Sequence, residues 1–335
     1  MMDYVRLGST GLQVSELCFG AMSFGSSAWR PWVLDPDDAE PFYRRAIESG
    51  INFFDTANMY SNGASEEVTG RFLEKYGIRD ELVIATKVHF PMTDGPNMGG
   101  LSRKNIQQSC EASLRRLGVE TIDLLQIHRL DPYTPPEEML AALDSLVQSG
   151  KVRYLGASSM YAWEFSKLLT LSERNGWARM VSMQDHYNLL TREEEVEMHP
   201  LCRYEGVGVI PWSPLARGHL AGTRKAVGDD TNATTRGQTD GIDRLLYTAE
   251  SDAAVVDAVR RVAERHERPM AQIALAWVSS KPVVTAPIVG VTKLPQLDDA
   301  IASLEIELTA DDVAELEAPY VPRRSNELGR PSLRR

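Results

Sequence analysis

Cysteine is scarce in this chain: Cys18, Cys110 and Cys202 are the only three in 335 residues, far apart and with no CxxC pair. An odd number at such spacings excludes a disulfide framework and points to reduced thiols in a cytoplasm. Cys18, between Leu17 and Phe19, reads as a buried structural residue. Long apolar runs are also missing, and none approaches the ~20 residues of a membrane-spanning helix. The first residues lack the basic and apolar regions of a secretory leader, so a cytoplasmic location is expected. Positive charge is in deficit, with 36 Lys and Arg against 47 Asp and Glu and a net charge of -11. A surface of that sign repels phosphate backbones, which makes nucleic acid a poor partner. The Arg-rich end (Arg323, Arg324, Arg330, Arg334 and Arg335) is the one basic exception and reads as a solvated tail.

Several motifs are absent. There is no GxSxG and no P-loop, which removes two large enzyme classes. No GxGxxG follows the first candidate strand, where an open doubly wound dinucleotide-binding sheet would need one. The six His residues show no HxxxH and no ligand-like spacing with carboxylates, so no metal site is expected.

What the chain does contain is ordinary for a globular protein: 43% hydrophobic and 25% charged residues, enough apolar material for one sizeable core. Short β-branched runs alternate with charged segments of helical spacing. Candidate strands fall at 17–20, 52–57, 82–88, 122–129, 152–159, 181–188, 207–214 and 283–290. Candidate helices fall at 36–49, 65–76, 102–117, 136–149, 161–175, 193–205, 251–267 and 296–304. Gly50, Gly118, Gly150, Gly176 and Gly206 each close a helical segment, as left-handed caps do. Asp35, Ser65 and Ser102 are N-cap candidates, and Pro36 and Pro136 suit the first helical turn. Eight parallel strands joined by right-handed crossovers close into a barrel. The expected fold is therefore α/β: a TIM-type (β/α)8 barrel formed by one domain over residues 1–335.

Three segments lie outside the repeat. Residues 4–15 carry a Ser9-Thr10-Gly11 turn and read as a hairpin plugging the barrel floor. Residues 221–247 are rich in Gly, Asp, Thr and Arg, and a loop of that length is expected to be a lid over the cofactor or a disordered segment. Residues 309–317 read as an added helix capped by Thr309, and 320–335 as a tail.

Function in such barrels sits where strands end. The second strand ends near Asp55, with Tyr60 in its loop. Lys87 ends the apolar run LVIATK, and His128 ends IDLLQIHRL. Taken singly, each has a plain explanation: a turn cap, a surface aromatic, a strand-end charge, a hydrogen-bonded core imidazole. Together they say more. An unpaired buried Lys is costly, and Asp55 is the obvious countercharge; a buried His128 also needs partners.

FFDTANMY, ATK ending at Lys87, LLQIHR, LGASS, VSMQDHYN and IPWSPLARG resemble, in order and spacing, the motifs of the aldo-keto reductase family. The resemblance runs from VRLGSTGLQVS to the last barrel helix. RPWVLD, APIVG and EAPYVP resemble a bacterial group within it. The resemblance implies reduction of an aldehyde or ketone on a small molecule by hydride transfer, with a catalytic tetrad of Asp55, Tyr60, Lys87 and His128. Tyr60 would be the proton donor. A phenol near pKa 10 exchanges its proton reluctantly at neutral pH, and an adjacent ammonium favours the phenolate. Asp55 would hold Lys87 charged, and His128 would orient the carbonyl.

The resemblance also implies a nicotinamide cofactor. Trp212 would stack on the nicotinamide, where many relatives have Tyr. Ser158 and Gln184 would bind its carboxamide, with Ser159 where many relatives have Asn. Ser213, Leu215, Arg217 and Gly218 would line the pyrophosphate. Gly290, Thr292, Lys293, Gln296 and Asp299 would surround the adenosine. NADP(H) is expected through Lys293 and Thr292, although Gln296 is neutral where relatives often carry a second cation; NAD(H) is the alternative. Two other readings are possible: a cofactor-binding redox-sensing module resembling potassium-channel β-subunits, or a phosphosugar isomerase or lyase. Trp29, Trp32, Phe90, Met92 and Tyr133 could rim a pocket for bulky or aromatic carbonyls, or could pack loops together. The sequence specifies no oligomeric state.

Overall fold

The computed structural model describes residues 2–224, 234–247 and 251–322. The tail arginines fall outside these residues. The chain opens with an antiparallel hairpin, β1 (Tyr4–Arg6) and β2 (Gln13–Ser15). Eight parallel strands follow: β3 (Cys18–Gly20), β4 (Phe53–Asp55), β5 (Val83–Val88), β6 (Ile122–Ile127), β7 (Val152–Ser158), β8 (Met180–Gln184), β9 (Gly208–Val209) and β10 (Ile288–Val289). Each pairs with the next, and β10 pairs with β3. A Val209–Val284 bridge and the Thr285 N–H bond to the Val209 carbonyl (2.7 Å) join β9 to the segment leading into β10. The sheet thus curls round as a (β/α)8 barrel.

The helices between strands are α1 (Pro36–Glu48), α2 (Ala64–Tyr76), α3 (Arg103–Leu117), α4 (Pro136–Gln148), α5 (Ala162–Asn175) and α6 (Met198–Glu205). The long loop after β9 holds two short helices among its described residues, α7 (Thr235–Thr239) and α8 (Asp243–Leu246). Then come α9 (Ser251–Arg265), α10 (Met270–Ser279), α11 (Leu294–Ala302) and α12 (Ala310–Glu317).

Alternation along the strands sorts side chains into two sets. Cys18, Phe53, Val83, Ala85, Leu124 and Ile288 meet inside the barrel, where Leu7 of the hairpin turn joins them. Phe19, Phe54, Ile84, Leu125 and Leu155 face the helices. Between β3, β4 and the first two helices, Phe19, Phe24, Tyr43, Phe54 and Phe72 form an aromatic cluster, with Phe19 and Tyr43 centroids 4.9 Å apart. Each such burial is worth about 1.5–3 kcal/mol. The hairpin sits at the N-terminal ends of the strands, where the Ser9 N–H meets the Gly206 carbonyl at 2.7 Å. Gly8 is left-handed there, and a Cβ on it would lie 2.4 Å from that same oxygen. All three cysteines are free and buried.

Four expectations need correction. Strands expected at 207–214 and 283–290 are only two residues long each, β9 and β10, because Pro211, Pro214, Pro282 and Pro287 supply no ladder N–H. The segment 270–279 is a helix that the alternation did not reveal, because it is apolar on every side and buried from Gln272 to Val278. Ser65 is not a cap: α2 begins at Ala64, and the Ser65 hydroxyl donates to the Ala21 carbonyl instead. Asp35 occupies the N-cap position of α1 but spends its carboxylate on the Ser27 N–H and hydroxyl. Ser102 and Thr309 do cap, accepting from the Asn105 and Asp312 N–H groups.

Candidate active site

Strand parity carries Asp55, Lys87 and Gln126 to the inner face at the C-terminal end of the barrel. Lys87 has no exposed surface. Its ammonium donates to Asp55 Oδ1 at 2.5 Å and to the Thr56 carbonyl at 2.8 Å, and reaches the Tyr60 hydroxyl at 3.5 Å. Burial alone would lower its pKa, but Asp55 and then Tyr60 outweigh that and hold it above the ordinary lysine value. The other Asp55 oxygen accepts from Gln126 Nε2 and Gln184 Nε2, both at 2.9 Å. The aspartate is thereby fixed by three donors and presents one edge to the lysine.

Tyr60 opens a short turn, Tyr60–Gly63, in which Ser61 and Asn62 are left-handed with φ of 50° and 51°. His128 follows β6 and meets Tyr60 edge-on at 5.7 Å and Phe90 at 4.9 Å. Its Nδ1 is buried without a partner. Burial first, then the charges of Lys87 and Arg129, hold its pKa well below the ordinary imidazole value, so it is neutral. The four residues expected as a tetrad are therefore together at one mouth. Gln126 and Arg129 are there as well, though neither was anticipated. The signal for Gln126 was parity, since Leu124, Gln126 and His128 alternate onto one face of IDLLQIHRL.

The neighbouring strand ends build a flat wall. Trp212 stacks on His186 at 4.1 Å with 10° between the planes, and its indole N–H donates to Ser159 Oγ at 3.0 Å. Ser158 lies 3.3 Å from Ser159, hydroxyl to hydroxyl. Gln184 is turned toward Asp55 and Gln126. Beyond Trp212 the backbone is left-handed at Ser213, Ala216, Arg217 and Gly218. Arg217 pairs with Asp240 of the long loop, and Arg236 reaches the same oxygen at 3.2 Å while lying 4.4 Å over the Trp32 ring. Gly290, Thr292, Lys293, Gln296 and Asp299 stand apart, after β10. Gln296 Oε1 accepts from the Thr292 and Lys293 N–H groups, Asp299 accepts from Gln272, and Lys293 is exposed. Of the expected rim, Trp29 lies 6.3 Å from Tyr60, whereas Tyr133 is 82% exposed and points away into solvent. A concavity of about 1220 Å³ lies at the other end of the barrel between Gln13, Asn52, Glu81 and Arg153; the groups just described are not in it. Among the described residues no cluster of His, Cys, Asp and Glu suits a metal ion, and no helix is long and apolar enough to cross a membrane.

Residues 16–320 match the aldo/keto reductase family. This chain belongs to that family. Similar aldo/keto reductases cover almost its whole length. Versiconal hemiacetal acetate reductase of Aspergillus parasiticus is 44% identical over 96% of this chain and 98% of its own. Aldo-keto reductase dtxS3 of Metarhizium robertsii is 41% identical over 96% and 92%. Aldo-keto reductase AMT2 of Alternaria alternata is 42% identical over 95% and 91%. These relatives are fungal, so they support the family and not the bacterial group that RPWVLD suggested. The chain is an oxidoreductase of this family.

Aldo/keto reductases use NAD(P)H, and the residues at this mouth fit such a group. Trp212, braced by His186 and Ser159, could hold a flat ring. Left-handed residues at Ser213 and from Ala216 to Gly218 form the kind of backbone concavity that takes phosphate oxygens. A Cβ on Gly218 would meet Thr223 Oγ1 at 2.6 Å. Buried polar atoms of Asn58, His128, Arg129 and Arg217 have no partner among the described residues.

Proposed function

We propose that this protein is an NADPH-dependent reductase of aldehydes or ketones on small molecules, with Tyr60 as the proton donor. The observation that carries this is the dry Asp55–Lys87–Tyr60 line, with neutral His128 beside it. Trp212, Ser158, Ser159 and Gln184 would hold the nicotinamide, and Ser213, Leu215, Arg217 and Gly218 the pyrophosphate. Gly290, Thr292, Lys293, Gln296 and Asp299 would hold the adenosine, with Lys293 reading the 2′-phosphate. The bound nicotinamide supplies the hydride.

The chain supplies the rest. His128 donates a ring N–H to the carbonyl oxygen and aims the carbonyl. Tyr60 gives its proton to that oxygen as negative charge develops there. Lys87 faces the phenolate left behind, and Asp55 keeps the ammonium charged and in place. Solvent then restores the phenol. A cytoplasmic setting agrees with three free, buried thiols.

The test is a panel of aldehydes, ketones and sugars, following NADPH and NADH oxidation by absorbance and quantifying the alcohol formed. Stoichiometric alcohol with repeated turnover supports the reading. Tight cofactor retention without turnover would assign the chain instead to a redox-sensing role.

A further inference from the structure

The protein is acidic overall, yet its mouth is cationic. Arg30, Arg217, Arg224 and Arg236 gather there around Asp240 and Asp243. Other partly buried arginines among the described residues have a carboxylate: Arg116 has Glu66, Arg192 has Glu195 and Glu317, and Arg217 has Asp240. Arg129 has none among the described residues. It follows His128 directly, and one terminal nitrogen donates to the His128 carbonyl (2.6 Å) and to Ser158 Oγ (3.3 Å). Its Nε is buried with no partner. Burial draws its pKa down to about 10, with Tyr60 the one group pulling the other way. It remains a cation at neutral pH, partly buried and with no carboxylate partner among the described residues.

A lone buried charge is expensive to keep unless something supplies the opposite sign. Here no described residue supplies the opposite sign to Arg129. The proposed reacting groups beside it have aromatic neighbours: the Trp29 ring lies 6.3 Å from that of Tyr60, and the Phe90 ring 4.9 Å from that of His128. Guanidinium is also the side chain best shaped to grip a carboxylate or similar oxyanion. We infer that Arg129 reads the substrate, taking an ionised oxygen (a carboxylate or a phenolate) on an aromatic carbonyl compound held between Trp29 and Phe90. This rests on the reductase reading. The cationic rim works in the same direction, drawing anions to the mouth of an otherwise negative molecule.

The test compares matched substrates that differ in charge. One pair is 4-carboxybenzaldehyde and its methyl ester; the other is 4-hydroxy-3-nitrobenzaldehyde and its methyl ether. The quantity is the ratio of kcat/KM for the charged member to that for the neutral one, which a general loss of fold or cofactor leaves alone. Arg129→Met should lower that ratio by about tenfold to a hundredfold, the range for losing a charge-assisted hydrogen bond. Arg129→Lys should keep part of it, and salt should weaken the wild-type preference. A fall in the first pair alone identifies a carboxylate, and in the second alone a phenolate. An unchanged ratio overturns the proposal, as does a rise in KM for NADPH with no change in ratio, which would put Arg129 on the cofactor. Quenching of tryptophan fluorescence by benzoate and benzamide provides a readout without turnover. If no aldehyde is reduced but benzoate binds in an Arg129-dependent way, the reductase reading falls while the carboxylate-binding role of Arg129 stands. If benzoate binding is also indifferent to Arg129, both fall.

Discussion

A lysine without exposed surface persists in this barrel because three oxygens surround it, and one belongs to Tyr60. Tyr60→Phe removes the proton that Tyr60 is proposed to give the carbonyl oxygen, while keeping the ring. Turnover should fall by about 10²–10⁴, whereas cofactor affinity, read by fluorescence quenching, should barely change. Undiminished turnover would dismiss Tyr60 as the donor. On the proposed reading, the choice of NADPH over NADH would rest on Lys293, because Gln296 carries no charge to set against a 2′-phosphate. Lys293→Ala should raise KM for NADPH up to about tenfold, the modest scale of an exposed ion pair, and leave KM for NADH alone; equal effects would clear Lys293 of that role. The imidazoles set a pH dependence. His89 is held at about 4 by burial, and His128 is also held below its ordinary value. Between about 4 and 6.5 the unfolded chain therefore binds more protons than the folded one, so their contribution is complete above about 6.5 and is lost as pH falls. His199 works the other way: burial would lower its pKa, but Asp185 raises it. Two imidazoles against one predict a Tm that drops from pH 7 to pH 5 in calorimetry, with a shallower slope for His89→Asn. A Tm that climbs toward pH 5 would contradict this. Asp55, Lys87 and His128 were legible because polar residues ending apolar runs are conspicuous. Arg129 was not, because an arginine at the start of a loop looks like any solvated charge until its surroundings are known.

Elements were legible in proportion to their periodicity. The helices flanking β4 to β8 show one apolar stripe, and the sequence placed them to within a few residues. The α10 helix has no polar face to alternate with, so nothing in its pattern distinguished it from a connection. The ends of β9 and β10 failed for a different reason: the apolar residues continue, but the prolines end the ladder. Close approach between elements is equally invisible in sequence. Gly70 sits where α2 crosses the end of α3, and a Cβ there would lie 2.1 Å from the Leu117 carbonyl oxygen. Backbone cannot swing aside as a side chain can. Gly70→Ala should cost about 1–3 kcal/mol in urea unfolding, even though alanine is the better helix former by about 1 kcal/mol. A stabilised variant would mean that the two helices can slide apart freely.

At the scale of the whole molecule, the barrel divides its interior between two tasks. The N-terminal half is filled by hydrocarbon and sealed by the hairpin through Leu7. The C-terminal half is given to polar residues that hydrocarbon could not hold in place. The last helix, α12, is fastened from outside: Glu317 accepts from Trp277, Lys281 and Arg192, drawing α10 and the segment after β8 together. This layering has a use that depends on the three cysteines. Cys110 and Cys202 belong to the helical shell, and Cys18 to the barrel interior. Burial pushes all three thiols up, Cys110 to about 12, so at neutral pH none is a ready nucleophile. An alkylating reagent therefore has nothing to modify until the protein opens. Mass spectrometry of samples quenched during denaturation should find Cys110 and Cys202 modified first and Cys18 last. Simultaneous modification would mean that shell and barrel come apart in one step. Without any introduced label, the chain is a stopwatch for its own unravelling, with one hand inside the barrel and two outside it.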